Sequence, residues 1–300
     1  MIISVVMPVY NECRMIEESL RRVFERPEPD EIIVIDDGST DGTRAIIERF
    51  MASLPAGRGP GGRPSAPRAV GKGVGPAGRG PGGRPSALRG VGKGVGPAGR
   101  PAARLILKDA NEGKGAALRA GFAASTGDVV IVQDADLEYD PRDYPAILAP
   151  ILDGEADAVF GSRFLGGGRH RVLLFWHSIA NKILTLLVNA VANLNLTDVW
   201  TGYKVFRGGL IRALPLSSDR FGFEPEVTIK LARLGVPIYE VPISYRGRNY
   251  AEGKKIGWRD AAASLVTIAR TCLFPDLGAA AALTRGSRAS GDRSPKSPGS

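Results

Sequence analysis

Residues 129–138 read VVIVQDADLE, an apolar run that ends in two carboxylates, Asp134 and Asp136, with Glu138 two positions further on. The run 129–133 predicts a strand, and the period of two along a strand lets both carboxylates point the same way where the strand stops. Two acids converging at a sheet edge repel unless a positive charge lies between them. An oxygen-only donor set with open positions for diphosphate oxygens suits a hard divalent cation, Mg²⁺ or Mn²⁺, and Glu138 is a candidate third ligand.

The segments before this run alternate in type. Hydrophobic patterning predicts strands over 2–9, 31–36 and 104–108, and helices over 12–24, 41–51 and 114–125. Alternation of this kind builds a mostly parallel central sheet with helices on both faces, an α/β fold. Ligands of such sheets lie beyond the carboxyl ends of the strands. Each polar motif falls at one of those ends: PVYNE at 8–12, IDDGSTDGT at 35–43 and NEGKGAALRAGF at 111–122. Asp36 and Asp37 are placed to accept hydrogen bonds from a base or ribose, and Ser39, Thr40 or Asp41 can cap the following helix. Gly113, Lys114 and Gly115 stand at a predicted helix start, where unpaired N–H groups and a lysine can face an anion.

Net charge is +9 over 300 residues, a balance that ordinarily raises nucleic acid or an anionic surface as a partner. The excess is local. Residues 55–103 hold nine basic side chains and no acidic one, and 284–300 hold four basic and one acidic. The remainder carries 27 Lys and Arg against 30 Asp and Glu. Within the basic stretch AGRGPGGRPSAPRAVGKGVGP (56–76) is followed by AGRGPGGRPSALRGVGKGVGP (77–97). Two Gly/Pro-rich copies without apolar periodicity predict a disordered insertion rather than a solenoid. Lys72 and Lys93 sit in GKG but lack the Ser or Thr of a phosphate loop. Nucleic acid is therefore not the expected partner, although binding through these repeats stands as a rival reading.

Cys13 and Cys272 form no framework and no metal spacing, which points to a reducing compartment. The start, ISVVMPVY, lacks the features of a signal peptide. Polar residues interrupt 172–199, so no spanning helix is expected. Amphipathic patterning gives 172–196 to core packing and 261–274, flanked by Trp258, Arg259 and Arg270, to contact with a membrane interface. The expected place is the cytoplasm, at the inner face of the membrane.

Taken in order, PVYNE, IDDGSTDGT, NEGKGAALRAGF and QDADLE resemble the nucleotide-sugar half of the family 2 glycosyltransferases of GT-A fold, with DAD as the DXD metal motif. FGSRF (160–164), TDVWTGYKVFR (197–207), RFGFEPE (220–226) and VPISYRGRNYAEGKKIGW (241–258) resemble the polyprenyl-phosphate branch, which includes the dolichol-phosphate mannosyltransferases. The resemblance implies one catalytic domain over 1–54 and 104–275, the insertion at 55–103 and a disordered tail at 276–300. It implies a nucleotide-sugar donor held by Pro8, Tyr10, Asn11, Glu12, Asp36, Asp37, Asn111, Gly113, Lys114, Gln133 and Ala135. Asp134, Asp136 and Glu138 are the implied metal ligands, and Asp134, Asp136 and Arg163 the implied catalytic groups. A polyprenyl or dolichyl phosphate acceptor needs cations, for which Arg163, Arg207, Arg220, Arg246 and Lys254 are candidates. A second arginine usual after the GSR motif is missing here, where Arg171 or His177 are the possible substitutes. The implied reaction is a metal-dependent inverting transfer of mannose or glucose from GDP-mannose or UDP-glucose. A rival reading has a sugar acceptor and a catalytic base, for which Glu224 is the candidate.

Overall fold

Ile3–Val9 (β1) is a strand whose side chains are buried on both sides, and its alternation explains the layers around it. Val5, Met7 and Val9 enter one hydrophobic cluster and Val6 the other. Glu31–Asp36 (β2) and Val129–Val132 (β5) divide in the same way, so these strands read as continuous apolar runs because helices cover both faces. The computed structural model describes residues 1–54, 89–91, 101–166, 175–247 and 258–289.

Besides these three, the strands are Arg89–Val91 (β3), Ala102–Leu107 (β4), Ala158–Ser162 (β6), Lys204–Arg207 (β7) and Ile238–Pro242 (β8), in the sheet order β3-β4-β2-β1-β5-β7-β6-β8. β7 is antiparallel to β5 and β6, and β3 is antiparallel to β4; every other pairing is parallel. Helices Ile16–Phe24 (α1), Thr43–Ser53 (α2) and Tyr144–Leu152 (α4) close one face. Lys114–Ala124 (α3), Phe175–Ala192 (α5), Gly208–Ala213 (α6), Phe223–Leu234 (α7) and Trp258–Leu273 (α8) close the other. The mostly parallel sheet with helices on both faces is thus as the sequence predicts.

Four expectations change. β4 begins at Ala102, inside the stretch assigned to the insertion, and Arg89–Val91 adds an edge strand to it; the rest of 55–100 lies outside the described residues. The tail is not wholly irregular, because Ala280–Ala289 (α9) is helical and its Ala280 is fully buried. Alanine has the highest helix propensity, and a run of it beside an apolar surface folds. α5 is not a core helix: Thr185 and Val188 are buried while Trp176, Ile183, Leu186 and Leu187 are exposed. Arg207 pairs across from Val129 at the start of β5, so it lies at the opposite edge of the sheet from Asp134, ~16 Å away along the strand. There its Nε donates to Asp157 Oδ1 at 2.9 Å, and it does not reach the acceptor side.

Glu226, in the first turn of α7, holds the loop before that helix. Its carboxylate accepts from the Ser217 and Ser218 N–H groups at 2.9 and 2.8 Å and from Lys230 Nζ at 2.8 Å. Burial alone raises the Glu226 carboxyl, but Lys230 and the serines outweigh it and hold it down at about 2. Its pKa is lower in the folded state than in the unfolded chain, so its stabilisation is complete above the ordinary carboxyl range and lost as pH falls from there towards 2. Glu226→Gln should cost about 3 kcal/mol at pH 7. In chemical denaturation the gap to the wild type should narrow below pH 4.5; a gap independent of pH would contradict this role.

Candidate active site

The carboxyl ends of β1, β2, β4, β5, β6 and β8 and the start of antiparallel β7 share one edge of the sheet, and the loops that follow or precede them build the site. After β1, Asn11 takes a left-handed φ of 51°. Its N–H donates to Ser39 Oγ at 3.0 Å and its Oδ1 accepts from Thr40 N–H at 2.9 Å. Glu12 N–H donates to Thr43 Oγ1 at 2.9 Å, so PVYNE is fastened to the loop after β2. Pro8 is half-buried in β1 and Tyr10 stands exposed at its end.

The paired acids of β2 divide their work. Asp36 is fully buried and takes Arg44 Nε at 2.7 Å. Asp37 accepts from Lys108 Nζ at 2.6 Å, Asn111 Nδ2 at 3.0 Å, Glu112 N–H at 3.2 Å and Gly113 N–H at 2.7 Å. The anion at the start of α3 is therefore a residue of the chain itself, and in this structure Asp37 and Asn111 shape the loop before α3. Ala116 N–H donates to Asp219 O at 3.0 Å, so the loop before α7 covers the same helix start. Gly113, at φ 103°, permits this approach because a methyl there would overlap the Asp219 carbonyl and the Arg220 side chain.

At the end of β5, Gln133 turns inward. Its Oε1 accepts from Tyr144 OH at 2.9 Å and Tyr203 OH at 2.7 Å, and its Nε2 donates to Asp134 O at 2.9 Å. Ala135 is buried beside it. Leu137 takes φ 60°, a strained value for a branched side chain, and the bend brings Glu138 N–H within 3.2 Å of Asp136 Oδ1. Glu138 Oε2 accepts from Tyr245 OH at 2.7 Å, and Glu138 O accepts from Arg246 N–H at 2.9 Å. The three-carboxylate metal cluster that the spacing predicts is not assembled, because Tyr245 holds Glu138 and a lysine holds Asp134. Among the described residues no three His, Cys, Asp or Glu side chains converge. Asp134 and Asp136 nevertheless offer oxygen donors only, at one strand end, which fits a hard cation.

That lysine is Lys114. Its Nζ lies 2.9 Å from Asp134 Oδ1 and 3.2 Å from Glu224 Oε1, at the start of α7. Burial opposes its charge, but the two carboxylates prevail and hold its pKa above the usual range. Glu224 is buried to 3% exposure, so it is placed as a partner of Lys114 rather than as a base open to a hydroxyl acceptor.

Arg163 follows β6. It donates from Nε to Asp198 Oδ2 at 2.7 Å and from Nη2 to Asp198 Oδ1 at 2.8 Å, a bidentate pair, and from Nη2 to Asn181 Oδ1 at 3.3 Å. Its guanidinium lies 5.0 Å from the Tyr245 ring centroid. Asp198 itself is 0% exposed. Tyr139 stacks between Tyr203 and Tyr245 at 5.0 and 5.4 Å, so an aromatic floor joins the DAD loop to Arg163. Lys204, fully buried, donates to the Val199 and Thr201 carbonyls at 2.9 and 2.6 Å, and burial pulls its ammonium down to about 8. It thereby fixes the turn that ends in Gly202. A methyl on Gly202 would overlap Asp134 Oδ2 and the Tyr139 ring.

The structure therefore gathers Asp134, Asp136, Glu138, Lys114, Arg163 and Arg246 at one edge, with Arg220 exposed beside the start of α3. Lys254 and Arg171 lie outside the described residues, as does the His177 side chain. Sequence reasoning missed Asp198, Tyr139, Lys204 and Gly202, although TDVWTGYK contains three of them.

The family model of glycosyl transferase family 2 matches residues 4–61 and 96–214, more than half of the chain, and passes over the middle of the tandem repeat. The chain belongs to glycosyl transferase family 2. This glycosyltransferase is similar to an undecaprenyl-phosphate mannosyltransferase of Micrococcus luteus, 27% identical over 261 residues that cover 84% of this chain and 86% of that protein. It is also similar to a polyprenol monophosphomannose synthase of Mycolicibacterium smegmatis, 23% identical over 84% of this chain and 80% of the other. Among solved structures, a glucosyl-3-phosphoglycerate synthase of Mycobacterium tuberculosis with Mn²⁺, UDP-glucose and phosphoglyceric acid superposes with a TM-score of 0.58. The two are 22% identical, over 92% of this chain and 81% of that one. That likeness supports the GT-A fold.

Proposed function

We propose that the chain transfers a hexose, mannose or glucose, from GDP-mannose or UDP-glucose to a polyprenyl or dolichyl phosphate, inverting the anomeric carbon, while resting on the cytoplasmic face of a membrane. One observation carries the acceptor. Arg163 touches Asn181 of α5, and α5 shows solvent an apolar stripe of Trp176 at 77% exposure, Ile183, Leu186 at 67% and Leu187. α8 packs beside it with Leu265 and Val266 exposed. A cation next to an uncovered apolar surface matches an acceptor with a charged head and a hydrocarbon tail. No helix among the described residues is long and apolar enough to cross a membrane, so the contact proposed is with its surface.

The chemistry asks little of a base. An acceptor phosphate is already anionic near neutral pH, so in-line displacement depends on positioning and charge. Arg163 and Arg246 flank the DAD loop and orient that phosphate, and the aromatic floor fixes Arg163. Pro8, Tyr10, Asn11 and Glu12 border the nucleotide side. Asp134 and Asp136 would hold Mg²⁺ or Mn²⁺, which when bound neutralises charge on the leaving diphosphate. A hydroxyl acceptor is disfavoured because Glu224, its candidate base, is buried against Lys114.

Trp176→Glu combined with Leu186→Glu tests the lipid side. With polyprenyl phosphate in vesicles, KM for the acceptor should rise about tenfold or more. Hydrolysis of the nucleotide sugar and the melting temperature should stay as in the wild type, since both side chains are exposed. An unchanged KM would remove the lipid role of this face.

A further inference from the structure

We propose that Lys114 is a built-in counter-ion that takes the place of the divalent cation at Asp134 until the ion arrives, and that Glu224 is the seat to which its ammonium then withdraws. This rests on the metal reading above. The Lys114 ammonium lies 2.9 Å from Asp134 Oδ1 and 3.0 Å from Oδ2, so it covers both oxygens that a metal would use. Two positive charges on one carboxylate repel, so the ammonium in this position opposes the ion and binding of the ion favours its withdrawal. The same nitrogen is 3.2 Å from Glu224 Oε1. Glu224 Oε2, in contrast, is buried with no hydrogen-bond partner.

A buried carboxylate oxygen left unpaired is unfavourable, and an ammonium has three donors on a flexible stem with which to satisfy it. The backbone of Lys114 need not move. Gly113 N–H is held by Asp37 and Ala116 N–H by the Asp219 carbonyl, so the start of α3 is pinned on both sides. Only the side chain has to swing from Asp134 towards the second oxygen of Glu224. The arrangement neutralises the DAD loop when no metal is bound and makes the metal compete for its site. It also explains a buried acid at the start of α7 that the transfer reaction does not otherwise use.

The test is Mn²⁺ binding to the nucleotide-free protein, read from the electron paramagnetic resonance signal of the free ion. Lys114→Met should bind Mn²⁺ at least about tenfold more tightly than the wild type, because the competitor is gone, and Lys114→Arg, which keeps the charge, should not. Glu224→Gln, which weakens the withdrawal seat, should bind about tenfold more weakly. In the double variant the Glu224 change should have no further effect. Mn²⁺ should also raise the melting temperature of Lys114→Met by more than it raises that of the wild type. If Lys114→Met does not fold, Glu224→Gln decides, and wild-type Mn²⁺ affinity in it overturns the proposal. Wild-type binding of Mn²⁺ with no gain in a folded Lys114→Met overturns this proposal alone. Absence of Mn²⁺ binding in every variant, with transfer persisting in chelator, overturns the metal reading and this proposal together.

Discussion

Alanine at position 136 will lower sugar transfer by about 10³-fold while the protein stays folded. Asp136 is half-buried in a loop, where its carboxylate accepts the Glu138 N–H at 3.2 Å, a bond whose loss is small beside the stability of a domain. Its other duty, on this account, is to a cation that counters charge on the leaving diphosphate. Gly202→Ala reaches the same site by steric means. The added methyl would overlap Asp134 Oδ2 and the Tyr139 ring, and the backbone there is not in the left-handed region, so overlap is the whole effect. Displacing the carboxylate by a fraction of an ångström to one ångström should cost about 10²-fold. Initial rates with and without chelator check both. Chelator should silence the wild type, with Mg²⁺ or Mn²⁺ restoring it, and full wild-type activity in chelator would contradict the metal role.

Arg163→Ala is the second large effect, and it has two parts that can be separated. Asp198 is fully buried and receives two hydrogen bonds from the Arg163 guanidinium besides one from the Arg163 backbone N–H, so removing the side chain leaves a buried charge without its counter-ion, a loss of about 3–5 kcal/mol. Adding Asp198→Asn should recover most of that stability, since the charge is then removed with its partner. Use of the acceptor should not recover. The double variant should melt near the wild type yet show an acceptor KM raised at least about tenfold, with nucleotide-sugar hydrolysis retained. Transfer restored along with stability would make Arg163 a structural residue only.

The sequence made the parallel half of the fold legible because its strands are buried on both faces and its helices are short and regularly spaced. The predicted strand over 31–36 matches β2 residue for residue, and the predicted helix over 114–125 differs from α3 by one position. DAD was legible for the same reason, a buried run ending in acids. What was hidden is partnership over distance. Nothing local tells whether a strand-end acid such as Asp37 faces a ligand or ties down its neighbours, and only the fold brings Lys108, Asn111 and Gly113 to it. Arg163 and Asp198 are 35 residues apart with no period between them. Arg207 was misplaced because β7 runs against its neighbours, which sends its last residue to the far edge. For α5, amphipathic patterning showed that one face is apolar without showing how little of the helix the sheet covers.

The central claim is tested most directly by incubating the purified full chain and Mn²⁺ with labelled GDP-mannose, UDP-glucose and other nucleotide sugars, a short polyprenyl phosphate, and the corresponding polyprenol without its phosphate. The account predicts label in a polyprenyl-phosphate hexose from GDP-mannose or UDP-glucose, none on the polyprenol, and none after Asp136→Ala. Label passing to a soluble sugar or to the polyprenol, with none on the polyprenyl phosphate, would contradict it.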